Sequence, residues 1–264
     1  MKPNKRLGQH FLADPGILGR IADALHLQAN DVVIEIGPGE GTLTDVLLAR
    51  GAKVTAIEKD RRLAHELGTR NAERGTKGLT VVQGDALDVD WHALVPRSDF
   101  RVPRFKVVGN IPYNITSPLL EKALTPPLPE RIVFLVQLEV ARRIAAPPGS
   151  KTYGALSIGV QAQCQVEQLF TVLPGSFRPP PKVKSALLRL TPLAQPLVGP
   201  DEVGPLRAFV TACFSRRRKQ LHNAVPGGGR PRRPSRGWGS IPRRGPRRSP
   251  PPILSASCVG VGKM

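Results

Sequence analysis

Five short apolar runs recur along the first half of the chain, spaced too far apart for hairpins. They are "DVVIEIG" (31–37), "AKVTAIEKD" (52–60), "LTVVQGDAL" (79–87), "FKVVGNIP" (105–112) and "RIVFLVQ" (131–137). Their lengths and β-branched content suit strands covered on both faces. Between the first two, "GTLTDVLLARG" sets Leu43, Val46 and Leu47 at helical spacing, with Gly51 as a C-terminal stop. Repeated strand-then-helix units of this size predict an α/β fold with a doubly wound parallel sheet. After Pro147 the pattern changes. "QLFTVLPGSF" (168–177) and "KVKSALLRL" (182–190) read as strands joined by "RPPPK" rather than by a helix. An antiparallel pair is therefore expected to finish the sheet.

Charge narrows the partners. The 39 Lys+Arg against 20 Asp+Glu give a formal net charge of +19, a surface that attracts polyanions, nucleic acid above all. Cys164, Cys213 and Cys258 are widely separated and have no neighbouring His, so neither a zinc site nor a disulfide framework is expected. That pattern suits a reducing cytoplasm. The start "MKPNKRLGQHFLADP" is basic but lacks the apolar run of a signal peptide, and no stretch approaches the roughly 20 apolar residues that span a bilayer.

The chemistry-bearing residues fall at the strand ends. "EIGPGEG" places Gly37, Gly39 and Gly41 between a strand and a helix, where backbone without a Cβ can approach a ligand. Thr42 stands where a dinucleotide fingerprint would have its third glycine, which favours S-adenosylmethionine over NAD. Tight-turn geometry alone is the competing reading. Glu58 closes the second run at the spacing where an acid accepts ribose hydroxyls, or else is a solvated charge beside Lys59 and Arg61. Asp85 closes the third, either accepting an exocyclic adenine amine or simply serving as a turn residue.

Asn110-Ile111-Pro112-Tyr113 ends the fourth run, facing the same crevice. A purine amine is a poor nucleophile because its lone pair is delocalised into the ring. The Asn110 amide oxygen and a carbonyl from Ile111 or Pro112 would accept its two N–H protons and aim the lone pair at a methyl donor. Pro112 would stiffen the turn and Tyr113 would stack on the base. The gain is positioning and preorganised electrostatics, with no strong base required. A plain Asn-Pro turn is the alternative. A base within a duplex cannot reach such a pocket, so the acceptor would be unpaired or flipped out. Cations at Lys2, Lys5, Arg6, Arg142, Arg143, Lys182 and Lys184, and the run Arg216, Arg217, Arg218 and Lys219, would grip the backbone. Phe177 is either a second stacking ring or a core aromatic.

The segments "RLGQHFL", "EIGPGEGTLT", "GNIPYNITSPLL", "SKTYGALSIGVQ" and "FRPPPKVKSALLRL", in that order, resemble the ribosomal RNA adenine dimethyltransferases of the KsgA/RsmA type, over roughly residues 5–224. The resemblance implies a Rossmann-like class I methyltransferase sheet in residues 1–195. It implies a small helical RNA-binding domain beginning at 196–224. The implied activity is S-adenosylmethionine-dependent formation of N6,N6-dimethyladenosine at two adjacent adenosines near the 3′ end of small-subunit (16S) rRNA. The enzyme would be a cytoplasmic monomer without a metal, acting in small-subunit maturation. The cofactor positions carried over by motif are His10, Leu12, Gly37, Glu58, Asp85 and Asn110; relatives often have Asn where His10 stands, so its contact would be through the backbone. The related Erm enzymes, which methylate large-subunit rRNA, share the glycine loop and the Asn-Ile-Pro-Tyr type of motif, and are the second reading. A third is a ribosome-assembly binding factor with secondary or no catalysis.

One departure stands out. Residues 225–264 contain eight Gly, eight Pro and eight Arg, with no Asp or Glu and no hydrophobic period. Such a composition cannot bury enough surface to fold alone. Two readings are open: a disordered basic tail that grips RNA, or, since the resemblance would have a helical domain continue here, the product of a reading-frame change in the source gene near Ala224. Nine Lys+Arg lie in this tail, which leaves +10 of the +19 for residues 1–224 and still suits an RNA partner.

Overall fold

The computed structural model describes residues 9–96 and 104–215. Seven strands form one sheet: β2 (Val32–Ile36), β3 (Lys53–Glu58), β4 (Leu79–Gln83), β5 (Lys106–Asn110), β6 (Arg131–Gln137), β7 (Cys164–Val172) and β9 (Ser185–Pro192). Their order across the sheet is β4-β3-β2-β5-β6-β9-β7. The first five run parallel, and β9 lies antiparallel between β6 and β7. The strand order reverses between β2 and β5, which places the ligand crevice of such a sheet at their carboxyl ends. A separate antiparallel pair joins β1 (Phe11–Leu12) to β8 (Phe177–Arg178).

The uninterrupted apolar runs are explained by helices on both faces. Ile34, Val107, Ile132 and Phe134 pack into one core with Trp91, Phe105, Leu119 and Leu120. Their immediate neighbours Val33, Val108, Val133 and Leu135 pack into the other with Leu18, Ile21, Leu25 and Leu47. Successive strand residues point to opposite faces, so burying both faces demands apolar side chains at every position.

Helix ends follow local capping chemistry. α1 (Pro15–Ala24) starts with Pro15 in its first turn and Asp14 accepting from the Ile17 N–H at 3.1 Å. α2 (Thr42–Ala49) stops before Gly51, whose φ of 79° continues no right-handed helix. α3 (Arg61–Glu73) is capped by Asp60, which accepts from the Arg62 N–H at 3.0 Å. α4 (Thr116–Ala123), α5 (Leu138–Ile144), α6 (Ala155–Gln161) and α7 (Val203–Ser215) complete the described helices.

The expected final strands are present with shifted limits. The run read as 168–177 is two strands, because Pro174 opens a short 3-10 turn after Val172 and lacks the N–H a continuing ladder would need. β7 also begins four residues earlier than expected, at Cys164, and β9 begins three residues later, at Ser185.

The amino ends of β5 and β6 hold the carboxyl end of α1. Lys106 Nζ donates to the His26 carbonyl at 2.9 Å and to Asp31 Oδ2 at 2.5 Å. Arg131 reaches the Leu25 carbonyl at 3.4 Å. Cations at these orphan carbonyls complement the helix dipole.

Candidate functional site

Four strand ends converge on one crevice. Gly37 follows β2, Glu58 ends β3, Asp85 follows β4 and Asn110 ends β5, and all four line the same cavity. Gly39, His10, Ile111, Pro112 and Tyr113 line it as well.

The three loop glycines serve different purposes. At Gly37 φ is +65° and a Cβ would meet nothing within 4 Å, so bare backbone faces open cavity. At Gly39 a Cβ would stand 2.8 Å from the Phe11 ring. At Gly41 it would stand 2.2 Å from the Arg70 guanidinium and 2.7 Å from Leu67, so this third glycine admits α3 rather than a ligand.

Glu58 is pinned. Oε2 accepts the Gly39 N–H at 3.0 Å and Oε1 accepts the Asp60 N–H at 2.8 Å. The residue is 5% exposed, and burial raises its carboxyl above the usual range, against the pull of those backbone donors. A carboxylate offers about four lone-pair sites, so acceptor capacity remains for an incoming hydroxyl. Asp85 is engaged differently. Its Oδ2 accepts from Lys59 Nζ at 2.5 Å and its Oδ1 accepts the Leu87 N–H at 2.9 Å. Those two donors hold its carboxyl below the ordinary value. Lys59, read from the sequence only as a neighbouring charge, is thus part of the rim.

Asn110 donates Nδ2 to the His10 carbonyl at 2.7 Å. Pro112's carbonyl already accepts the Ile115 N–H at 3.1 Å and the Thr116 hydroxyl at 3.4 Å, so Ile111 is the better placed of the two main-chain acceptors. The Tyr113 hydroxyl is 2.7 Å from Ser185 Oγ, and partial burial raises its phenol above the usual value. Its ring borders the cavity.

Several expected residues stand elsewhere. Leu12 is 5% exposed; its side chain lies in the core and its carbonyl accepts the Thr42 hydroxyl at 3.3 Å. Phe177 is 2% exposed in the same core, paired across β1–β8 with Leu12. A ring buried there cannot stack on a base, so of its two readings the core aromatic holds. Arg142 and Arg143 on α5, and Lys182 and Lys184 before β9, are exposed. Lys2, Lys5, Arg6, Arg216, Arg217, Arg218 and Lys219 lie outside the described residues. Phe11 was missed: its ring seals Gly39, but a lone aromatic in a two-residue strand carries no periodic signal. Among the described residues no group of three or more His, Cys, Asp or Glu could hold a metal ion, and no helix is long and apolar enough to cross a membrane.

Glu35 lies just beneath the loop. It is buried, accepts the Thr44 hydroxyl at 2.6 Å, and burial pushes its carboxyl up to about 7. Between the unfolded value near 4.5 and the folded value near 7 the folded chain keeps a proton that the unfolded chain loses, so stability falls as pH rises through that window. The loss is about 3 kcal/mol by linkage. Glu35→Gln is expected to remove this slope, raising stability at pH 8 and leaving it nearly unchanged at pH 4.5; denaturant midpoints of both proteins at the two pH values check it.

The comparisons with known proteins agree with this geometry. The family model described as ribosomal RNA adenine dimethylase matches residues 1–232. The chain is 44% identical over 230 residues to ribosomal RNA small subunit methyltransferase A of Leptothrix cholodnii, covering 84% of this chain and 79% of that protein. It is 43% identical over 225 residues to the protein of the same name from Pseudomonas aeruginosa, covering 85% and 82%. A dimethyladenosine transferase structure from Plasmodium falciparum is similar with a TM-score of 0.70 at 37% identity, covering 81% of this chain and 74% of that one. The 23S rRNA methyltransferase ErmE is similar with a TM-score of 0.66 at 32% identity, covering 81% and 82%. On the strength of that model match and of these identities over most of its length, the chain belongs to the ribosomal RNA adenine dimethylase family.

Proposed function

We propose that this protein transfers methyl groups from S-adenosylmethionine to the exocyclic amines of two adjacent adenosines near the 3′ end of small-subunit rRNA. The observation that carries this reading is Asn110, its amide nitrogen tied to the His10 carbonyl, at the edge of the same crevice as Gly37 and Glu58. The names of the relatives from Leptothrix cholodnii and Pseudomonas aeruginosa favour the small-subunit target over an Erm-like one.

The crevice fits such a donor. Bare backbone at Gly37 faces open space, and Glu58 offers lone pairs beside it for ribose hydroxyls. Asp85 keeps acceptor capacity for an adenine amine even with Lys59 bound. When bound, S-adenosylmethionine supplies an electrophilic methyl on a sulfonium sulfur. The chain's own residues do the positioning. Asn110 Oδ1 and the Ile111 carbonyl accept the two protons of the target amine, drawing its nitrogen out of conjugation with the purine. The Tyr113 ring packs on the base, and the buried walls of Ile36, Ile57 and Ile111 keep water from the reacting nitrogen. The surplus proton leaves to solvent from a product too acidic to retain it, so no side chain need act as a strong base. Residues 1–195 would carry this chemistry, and the helix beginning at Val203 would open the RNA-gripping part.

The test is methyl transfer by purified protein to small-subunit particles lacking the modification, with N6,N6-dimethyladenosine identified by mass spectrometry. Glu58→Ala is expected to weaken S-adenosylmethionine binding at least tenfold in calorimetry, because two ribose hydrogen bonds to a charged acceptor are lost. Tight binding without transfer to any small-subunit substrate would leave a binding factor as the better reading.

A further inference from the structure

His10 stands where three parts of the acceptor side meet. Its carbonyl accepts Asn110 Nδ2 at 2.7 Å. Its ring lies roughly parallel to that of Tyr113, with centroids 6.1 Å apart and planes 27° apart. Its Nδ1 is 2.8 Å from the Pro179 carbonyl, which can only accept, so Nδ1 is the donor. The segment that presents it is fastened on both sides. Gln9 Nε2 donates to Asp60 at 3.2 Å, the Ala13 N–H donates to the Ser176 carbonyl at 3.0 Å, and Phe11 and Leu12 pair with β8.

These contacts bear on the two groups that would handle the adenine. An amide is planar, so holding Nδ2 of Asn110 sets the direction of Oδ1. Ser185 holds the Tyr113 ring at its hydroxyl. His10 supplies a second restraint on that ring, and aromatic pairs at this separation are attractive. We propose that His10 is a positioning residue for the incoming adenine, acting through Asn110 and Tyr113, and is not merely a backbone contact to the methyl donor. The inference rests on the methyl-transfer reading above and assigns a task within that site.

Three variants of the full chain separate the contributions. His10→Ala removes both ring and donor, His10→Asn keeps a donor without a ring, and His10→Phe keeps a ring without the donor. For His10→Ala, kcat/KM toward small-subunit particles is expected to fall about tenfold, with the S-adenosylmethionine Kd within about threefold of the parent, because misplacement of a reacting group costs rate. His10→Asn, which keeps a donor for the Pro179 carbonyl, and His10→Phe, which keeps a ring beside Tyr113, are each expected to retain more transfer than His10→Ala. A structural readout accompanies the kinetics. The chain has two tyrosines, Tyr113 and Tyr153, so ring resonances in a tyrosine-labelled NMR spectrum are readily assigned. The Tyr113 signal should move in His10→Ala and His10→Asn, and the Tyr153 signal should not. Unchanged kcat/KM in His10→Ala, donor affinity falling by the same factor as kcat/KM, or an unmoved Tyr113 signal would each overturn the proposal. Failure of the parent protein to methylate any particle would instead count against the function, while the tyrosine spectrum would still decide whether His10 restrains Tyr113.

Discussion

Replacing Asn110 by alanine is expected to slow methyl transfer about a thousandfold while S-adenosylmethionine binding weakens far less. The estimate combines loss of one preorganised hydrogen-bond partner at the reacting atom, about 10²–10³ in rate, with the loosened His10 segment. On the proposed reading Asn110 would accept from the target amine, and the same side chain donates to the main chain of that segment at 2.7 Å. Truncation therefore removes an acceptor and leaves the His10 carbonyl without its donor. Asn110→Asp is not expected to recover activity. It retains an acceptor, but its second oxygen would face the His10 carbonyl where Nδ2 now sits, and two oxygens repel at that distance. Single-turnover transfer with the donor saturating, alongside calorimetric donor binding, checks both variants. Equal losses in rate and in donor affinity would show that Asn110 serves the donor alone.

Lys106→Met is expected to destabilise the fold strongly at every working pH. The Lys106 side chain is 8% exposed and Asp31 is 22% exposed, so the pair is largely removed from water. Breaking a buried pair by deleting one partner leaves the other charge uncompensated, at about 3–5 kcal/mol. Asp31 retains some solvent and also accepts the Gln28 N–H at 2.7 Å, which places the expectation at about 3 kcal/mol. The His26 carbonyl at the end of α1 loses its donor as well. A loss of this size is a large share of the roughly 5–15 kcal/mol that holds a domain folded, so the protein should accumulate poorly. The double change Lys106→Met with Asp31→Asn should recover a good part, since no buried charge is then stranded. Urea midpoints of the two variants and the parent give the comparison; no recovery in the double variant would mean that the carbonyl contact, not the ion pair, carries the energy.

The pattern of apolar runs was enough to place the parallel strands, because burial on both faces leaves a continuous signal. "RIVFLVQ" coincides with β6 residue for residue. The strand-end positions of Gly37, Glu58, Asp85 and Asn110 were legible for the same reason: in a sheet of this kind, strand ends share an edge. What escaped were features set by tertiary contacts between distant segments. Nothing local distinguishes Phe177 as a core ring from Phe177 as a stacking ring; its pairing partner is Leu12, at the far end of the domain. Gly41 read like its neighbours until α3 brought Arg70 against it. Lys59 looked like an idle surface charge because Asp85, 26 residues later, lies just past the end of the adjacent strand.

The pairing of Leu12 with Phe177 spans about 165 residues and joins the first described strand to one of the last. A chain growing at about 5–20 residues per second would wait roughly ten to thirty seconds between making the two partners. Through that interval Phe11 has no β-partner to hold it over Gly39. If the cavity holds the methyl donor as proposed, it is incomplete in a nascent molecule until the domain is nearly finished, and newly made protein should acquire affinity for its methyl source only in the closing stage of its own synthesis.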